Sequence, residues 1–159
     1  MSLVAAAEED LKAGEHMALA DTRFLLLQPD SIVPKAEKET LTANLMEGIK
    51  SNKMTAYYEE CCSVLGWKLD EGLLKELKQS NEEELKTLAE QLEKAQASEG
   101  EVEILDARSA KAEFFFRIGD KAKCMEAIGE IPVETMSAGT KIDAILKSIR
   151  VGLFHLDTD

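Results

Sequence analysis

The sequence predicts an all-α fold, and three observations support this prediction. Residues 35–131 contain no proline, so no obligatory helix breaker interrupts this stretch. Apolar residues recur at spacings of three and four, which is the period of an amphipathic helix. The period-two alternation of β-branched and aromatic residues that marks a strand is absent at strand length. We therefore expect helices throughout the chain.

Prolines, glycines and capping residues divide the first part of the chain into three helices. The first should end near Leu27, before the Gln28-Pro29-Asp30 turn. The second should start at Ser31–Pro34 and stop at Asn52, since proline suits a first helical turn. The third should end at Gly66, and its apolar stripe is Met54, Tyr57, Tyr58, Cys61 and Leu65.

A long exposed helix should follow, capped by Asp70 and ended by Ser98 and Gly100. Ser80 and Glu83 have capping-box spacing, which predicts a kink and a restart of the helix at this point. The phase of the apolar residues slips too early for a coiled coil, so we expect an ordinary amphipathic helix. Its apolar seam is Leu85, Leu88, Leu92 and Ala95.

The segment Glu101–Ile131 predicts two helices joined by the turn Ile118-Gly119-Asp120. Arg108 and Met136 depart from the tetratricopeptide pattern, which usually has a large apolar residue and a proline there, so the repeat is degenerate. One such hairpin cannot bury its apolar face alone, so we expect stacked helical hairpins in a right-handed, tetratricopeptide-like solenoid. The residues that match the packing positions of the repeat are Ala112, Phe115, Gly119, Cys124 and Ile128.

A last helix should start near Thr140 and carry a broad apolar face up to Phe154. Nothing in the sequence that follows would cover this face, which predicts either truncation of the chain or docking against another molecule, and we favour truncation. In the preceding aromatic run, Phe114 and Phe116 are expected to be exposed. They are our candidate protein-interaction residues.

Charge and composition exclude several classes of partner. The net charge of −12 disfavours nucleic acid and anionic membranes, because phosphate binding requires clustered lysine and arginine. The sequence shows neither a secretory signal nor a transmembrane segment. Three cysteines in such a chain indicate a reducing compartment, and we expect the cytoplasm and nucleus.

Catalytic and metal-binding patterns are also missing from the sequence. The two histidines, His16 and His155, have neither a second histidine at helical spacing nor a glutamate three residues before them. Cys61 and Cys62 are adjacent, so they form neither a redox motif nor a zinc-ligand pair. The carboxylates Glu82–Glu84 lie in a polar context that offers no apolar pocket to shift a pKa. We expect a protein that is not an enzyme, without cofactor, metal or small-molecule substrate.

Five runs of residues resemble a known family. They are NKMTAYYEEC at Asn52–Cys61, LGW at Leu65–Trp67, ELKQSNEEELK at Glu76–Lys86, AKAE at Ala110–Glu113 and RIGDK at Arg117–Lys121. These runs are similar to a PCI-domain lid subunit of the proteasome regulatory particle. That subunit is counted as non-ATPase subunit seven, or as regulatory subunit six in animals. The signalosome PCI subunit is the near alternative.

The resemblance implies that residues 1–100 form the N-terminal helical region of the lid subunit. Residues 101–159 would begin its tetratricopeptide-like repeats, and the C-terminal PCI domain would be absent. The implied function is a non-catalytic structural subunit that supports lid assembly and ubiquitin-dependent protein degradation. Its implied partners are other lid subunits and the ATPase ring. A free-standing tetratricopeptide-like adaptor is the other alternative, although the inner-face positions show no repeated set of Lys, Arg or Asn for peptide binding.

Overall fold

The computed structural model describes residues 3–98, 100–131 and 137–156, and side chains from residue 14 onward. These residues form seven helices and no strand, which confirms the all-α prediction. The tetratricopeptide-like character and the right-handed sense stay predictions, and Met136 lies outside the described residues. The helices are α1 Leu3–Leu26, α2 Lys35–Ser51, α3 Thr55–Leu65, α4 Glu71–Ala97, α5 Glu101–Arg117, α6 Lys121–Gly129 and α7 Ala138–Phe154.

Local sequence signals set several helix ends where they were predicted. Helix α3 ends at Gly66, whose φ of 69° is accessible because glycine has no Cβ. Helix α4 begins after Asp70, whose carboxylate accepts hydrogen bonds from the N–H groups of Gly72 at 2.9 Å and Leu73 at 3.1 Å. These bonds satisfy donors that have no partner within the helix.

The predicted restart of the helix at Ser80 and Glu83 is wrong, because α4 is continuous through both residues. Asn81, at the expected kink, is buried, and its side-chain amide donates to the Lys53 carbonyl at 2.8 Å. The amide therefore stabilises the turn before α3 and does not compete with the helical backbone of α4.

The chain divides into two compact units, of which the first comprises Met1–Gly48 and Gly152–Asp159. In this unit the ring of His16 lies edge-on to Phe154, with the ring centroids 5.1 Å apart. The guanidinium of Arg23 donates to the His155 carbonyl at 2.6 Å. Both His16 and Arg23 are buried.

The second unit is Ile49–Val151. Within it, α5 packs on both α4 and α6, and α3 packs on α4. One buried cluster lies at the centre of these helices, and we call it the hairpin core. It consists of Ala112, Phe114, Phe115, Phe116, Ile118, Cys124, Ala127 and Val151, with Leu85, Leu88 and Ile128 partly buried against it.

Candidate functional site

The structure brings the predicted repeat-packing residues together at the hairpin core. Ala112, Phe115 and Cys124 are members of the core, and Ile128 packs against its edge. The Cys124 thiol donates to the Ala112 carbonyl at 3.5 Å, so α5 and α6 approach closely where both residues are small. Their assignment to a tetratricopeptide repeat stays a prediction.

Gly119 lies in the turn between α5 and α6, as predicted, with a φ of 70°. Its N–H donates to the Phe116 carbonyl, and the N–H of Asp120 donates to the Phe115 carbonyl, both at 3.0 Å. The Asp120 carboxylate then accepts from the N–H of Lys123 at 3.1 Å and caps α6. Three residues therefore suffice to reverse the chain.

The expected exposure of Phe114 and Phe116 is wrong, since the two side chains are only 4% and 6% exposed. Successive residues of a helix point about 100° apart, so three aromatic neighbours are buried together only when most sides of the helix are covered. Helix α5 meets this condition, because α4 and α6 pack on it and Val151 of α7 joins the same core. The proposed role of Phe114 and Phe116 in partner binding stays a prediction.

The environment of Cys124 disfavours a nucleophilic thiolate. Burial raises the pKa of this thiol from 9.0 to about 12, and the nearby carboxylate of Glu113 acts in the same direction. Lys147 acts in the opposite direction, but its ammonium group pairs with that same carboxylate. The thiol is therefore protonated at neutral pH and acts as a small packing group.

Three of the runs that carry the family resemblance meet at the turn between α2 and α3. The Arg117 guanidinium donates to the Glu84 carboxylate at 2.6 Å and to the Asn52 carbonyl at 3.4 Å. The Lys53 ammonium lies 3.9 Å from the Glu84 carboxylate. Asn81 donates to the Lys53 carbonyl, and Lys53 has a φ of 55°. We call these five residues the turn clamp.

Arg117 also connects the turn clamp to the hairpin core. Its guanidinium carbon lies 5.4 Å from the ring centroid of Phe114, which is within the range of a cation–π contact. One side chain thus contacts the turn before α3, the middle of α4 and the aromatic core of α5. The arrangement fixes three helices relative to one another within the second unit.

Helix α7 presents an apolar face to solvent, as the sequence predicted for this helix. Ile142, Ile145, Leu146 and Ile149 are between 45% and 60% exposed. Phe154, expected on the same face, is instead buried in the first unit.

No group of three or more His, Cys, Asp or Glu side chains is placed to hold a metal ion within the part of the chain that the structure describes.

The seven described helices, with α5 packed on both α4 and α6, place the chain in the class of all-α helical array proteins. The family model of 26S proteasome subunit RPN7 matches residues 70–159. This chain therefore belongs to the RPN7 family of 26S proteasome subunits, and the family resemblance is confirmed.

Relatives from three organisms show how far the similarity extends. The 26S proteasome non-ATPase regulatory subunit 6 homolog of Arabidopsis thaliana is 36% identical over 144 residues, which cover 91% of this chain and 37% of the relative. The Dictyostelium discoideum 26S proteasome non-ATPase regulatory subunit 6 is 34% identical, with 96% and 38% covered. The Saccharomyces cerevisiae 26S proteasome regulatory subunit RPN7 is 29% identical, with 87% and 37% covered. The chain thus spans 37–38% of the length of these relatives.

Proposed function

We propose that this chain is the N-terminal helical part of a non-catalytic structural subunit of the proteasome regulatory-particle lid. In this proposal residues 1–100 form the N-terminal helical region, and residues 101–159 begin the repeats. The subunit would support lid assembly and thereby ubiquitin-dependent protein degradation. Membership of the RPN7 family supports the proposal, as do relatives whose names contain "non-ATPase regulatory subunit".

The observation that carries the proposal is the meeting of three family-like runs at the turn clamp. There the Arg117 guanidinium holds helices in place by donating hydrogen bonds to the Glu84 carboxylate and the Asn52 carbonyl. The Glu84 carboxylate and the Arg117 side chain are partly exposed and neutralise each other. Function in this arrangement is positional, because a rigid helical array transmits the position of one neighbour to the next.

We further propose that other lid subunits and the ATPase ring are the partners, and that the protein works in the cytoplasm and nucleus. The net charge of −12 favours basic surfaces on those partners through long-range attraction. Among the described residues, no helix combines the length and apolar character needed to cross a membrane.

Affinity purification tests the proposal directly. The native protein, tagged at its genomic locus, is purified from cell extract, and its companions are quantified by mass spectrometry. We expect lid and ATPase subunits in stoichiometric amounts. A signalosome set of companions, or a protein without a stoichiometric partner, would contradict the proposal and favour the signalosome or the adaptor alternative respectively.

A variant of the turn clamp makes the same experiment specific to the structure. Arg117→Glu places two carboxylates against each other and should reduce the recovery of lid subunits. Lys75→Glu is the matched control, since it makes the same charge change at an exposed position of α4 in the same unit. Equal recovery of lid subunits with both variants would show that lid assembly does not depend on the turn clamp.

A further inference from the structure

Four positions of the sequence have a serine or threonine followed three residues later by an acidic residue. They are Ser80, Thr87, Ser98 and Thr140. This pattern suits a protein kinase whose substrate groove is basic, because the acidic side chain pairs with the groove and positions the hydroxyl. By charge alone Ser80 would be the preferred acceptor, since three glutamates follow it at residues 82–84. The structure favours a different one.

Three of these hydroxyls lie where the fold opposes phosphorylation. Ser80 and Thr87 are inside the continuous helix α4. A kinase groove binds its substrate as an extended segment, so phosphorylation of either residue requires local unfolding of the helix. Unfolding at Ser80 would also break the buried hydrogen bond of its neighbour Asn81. Thr140 lies in the first turn of α7 and is followed by Lys141, whose charge a basic groove repels.

Ser98 is the exception, because it is exposed and lies in the short connection between α4 and α5. It comes directly after the last residue of α4, and its hydroxyl donates to the Ala95 carbonyl at 2.9 Å. Gly100 has an extended backbone, with a φ of −80° and a ψ of 106°. Glu101 and Glu103 follow in the first turn of α5. An exposed hydroxyl, extended backbone and downstream carboxylates therefore occur together at this connection.

We propose that Ser98 is a phosphorylation site for an acidophilic protein kinase, and that the phosphate loosens the connection between α4 and α5. In the transfer, the Ser98 hydroxyl oxygen forms a bond to the γ-phosphorus of ATP. The bond from that phosphorus to the β,γ-bridging oxygen breaks, ADP leaves, and the hydroxyl proton goes to the catalytic base of the kinase. The inference goes beyond the proposed function and does not depend on it.

The phosphate would carry a charge of about −1.5 to −2 at pH 7, in an unfavourable environment. It would lie at the C-terminal end of α4, which is the negative end of the helix dipole. The Glu103 carboxylate lies where a Cβ on Gly100 would be, two residues from Ser98, and repels it. Lys94 is one turn earlier in α4, but a cation that precedes the anion is the weaker order for a helical pair. The modified side chain also cannot donate to the Ala95 carbonyl.

A kinase assay on the full-length native protein tests the site. The protein is purified from cells, dephosphorylated, and incubated with ATP and casein kinase 2, which selects acidic substrates. A kinase that selects basic substrates is the control enzyme, and Ser98→Ala and Ser80→Ala are the variants. Trypsin releases residues 95–108 and 79–86 as separate peptides, in which Ser98 and Ser80 respectively are the only hydroxyl-bearing residues. Mass spectrometry therefore assigns each phosphate without ambiguity.

We expect the native protein to acquire phosphate on peptide 95–108 at least about tenfold faster than on peptide 79–86, because reaction at Ser80 requires opening of α4. Ser98→Ala should abolish the faster reaction, and Ser80→Ala should leave it unchanged. In protein unfolded by prior digestion the preference should disappear or reverse, since more glutamates follow Ser80.

Amide hydrogen exchange measures the effect of the phosphate on the fold. In the phosphorylated protein, exchange in the last turn of α4, at residues 94–97, should be at least about threefold faster than in the unmodified protein. Exchange around Asn81, in the middle of the same helix, should not change.

Three results would overturn the inference. Phosphate that appears on Ser80 before Ser98, or on Ser98 only after unfolding, would show that the connection is not accessible to the kinase. Equal modification of Ser98 by the control enzyme would show that the downstream carboxylates do not direct recognition. Unchanged exchange at the end of α4 after complete modification would show that the phosphate does not loosen the connection.

Discussion

The Arg117 guanidinium donates a 2.6 Å hydrogen bond to the Glu84 carboxylate, which fastens the end of α5 to the middle of α4. The same guanidinium reaches the Asn52 carbonyl in the turn that leads into α3. A guanidinium that donates to two acceptors constrains the geometry of the groups around it more than a single ion pair does. The contact therefore matters for the relative placement of helices as well as for stability.

The coupling between these two side chains should be measurable. In a double-mutant cycle of Glu84→Ala and Arg117→Ala, we expect a coupling energy of about 0.5–1 kcal/mol, limited by solvent screening of the partly exposed carboxylate. Urea denaturation gives the unfolding free energies, and the coupling should shrink at high salt. The more exposed pair Lys78 and Glu59 serves as the comparison and should couple less strongly. Equal coupling in the two pairs would contradict the assigned importance of the turn clamp.

Asn81→Ala should lower the free energy of unfolding by about 1–2 kcal/mol, because it removes a buried donor and leaves the Lys53 carbonyl without that bond. Gln79→Ala, at an exposed position of the same helix, should change it by less than about 0.5 kcal/mol. Chemical denaturation of the two variants side by side checks the difference. Equal stability of the two variants would show that the hydrogen bond from Asn81 to the Lys53 carbonyl does not stabilise the fold.

Gly119→Ala should destabilise the protein by about 1–2 kcal/mol, since a Cβ is unfavourable at its φ of 70°. Gly129→Ala is a suitable control because, apart from the adjacent backbone of its own helix, the added methyl group would meet nothing within 4 Å among the described residues, and its φ is not in the left-handed region. That control should be neutral or slightly stabilising, as alanine is the better helix former. A thermal unfolding series would show whether the two glycines differ as expected.

Helix ends were largely predictable from the sequence, whereas side-chain contacts between helices were not. Gly66, Asp70 and Gly119 act through their own backbone or that of residues at most four positions away, so a short window of sequence contains the whole signal. Glu84 and Arg117 are 33 positions apart, and their contact depends on how α4 and α5 pack. The family resemblance includes the runs that contain them, but no local sequence pattern pairs the two side chains.

The aromatic run Phe114–Phe116 shows why the predicted exposure of Phe114 and Phe116 is wrong. A helical period separates an inner from an outer side only when one side of the helix is covered. Around Phe114 and Phe116 the helix is covered by α4 and α6, while Val151 of α7 joins the same cluster. The number of neighbours of a helix is a property of the tertiary fold and is not encoded in its own period.

Phe116→Ala should therefore lower the unfolding free energy of the chain by about 3–5 kcal/mol, the usual cost of a cavity at a buried aromatic residue. Phe24→Ala, at an exposed aromatic position of α1, should cost less than about 1 kcal/mol. Equilibrium unfolding of both variants provides the test. Normal stability of Phe116→Ala combined with loss of lid partners would restore the surface role first expected for Phe116.

Cys124 makes the stability depend on alkaline pH. Its folded pKa of about 12 exceeds the unfolded value near 9, so above pH 9 the unfolded state loses this proton first. The contribution of the thiol is complete below pH 9 and decreases as the pH rises from about 9 towards 12. Unfolding free energies measured between pH 8 and about 10.5 should fall more steeply for the native chain than for Cys124→Ala. Parallel curves would show that the thiol titrates normally in the fold.

The buried amide of Asn81 has a consequence for the alignment of α4 during folding. Leucines at spacings of three and four make the seam of this helix nearly self-similar, so sliding by one turn would replace leucine with leucine at several contacts. Such a slide would move Asn81 about 5.4 Å along the helix axis, away from the Lys53 carbonyl, and would bury its amide without a partner. One polar residue among interchangeable aliphatic ones thus gives α4 a single favoured register.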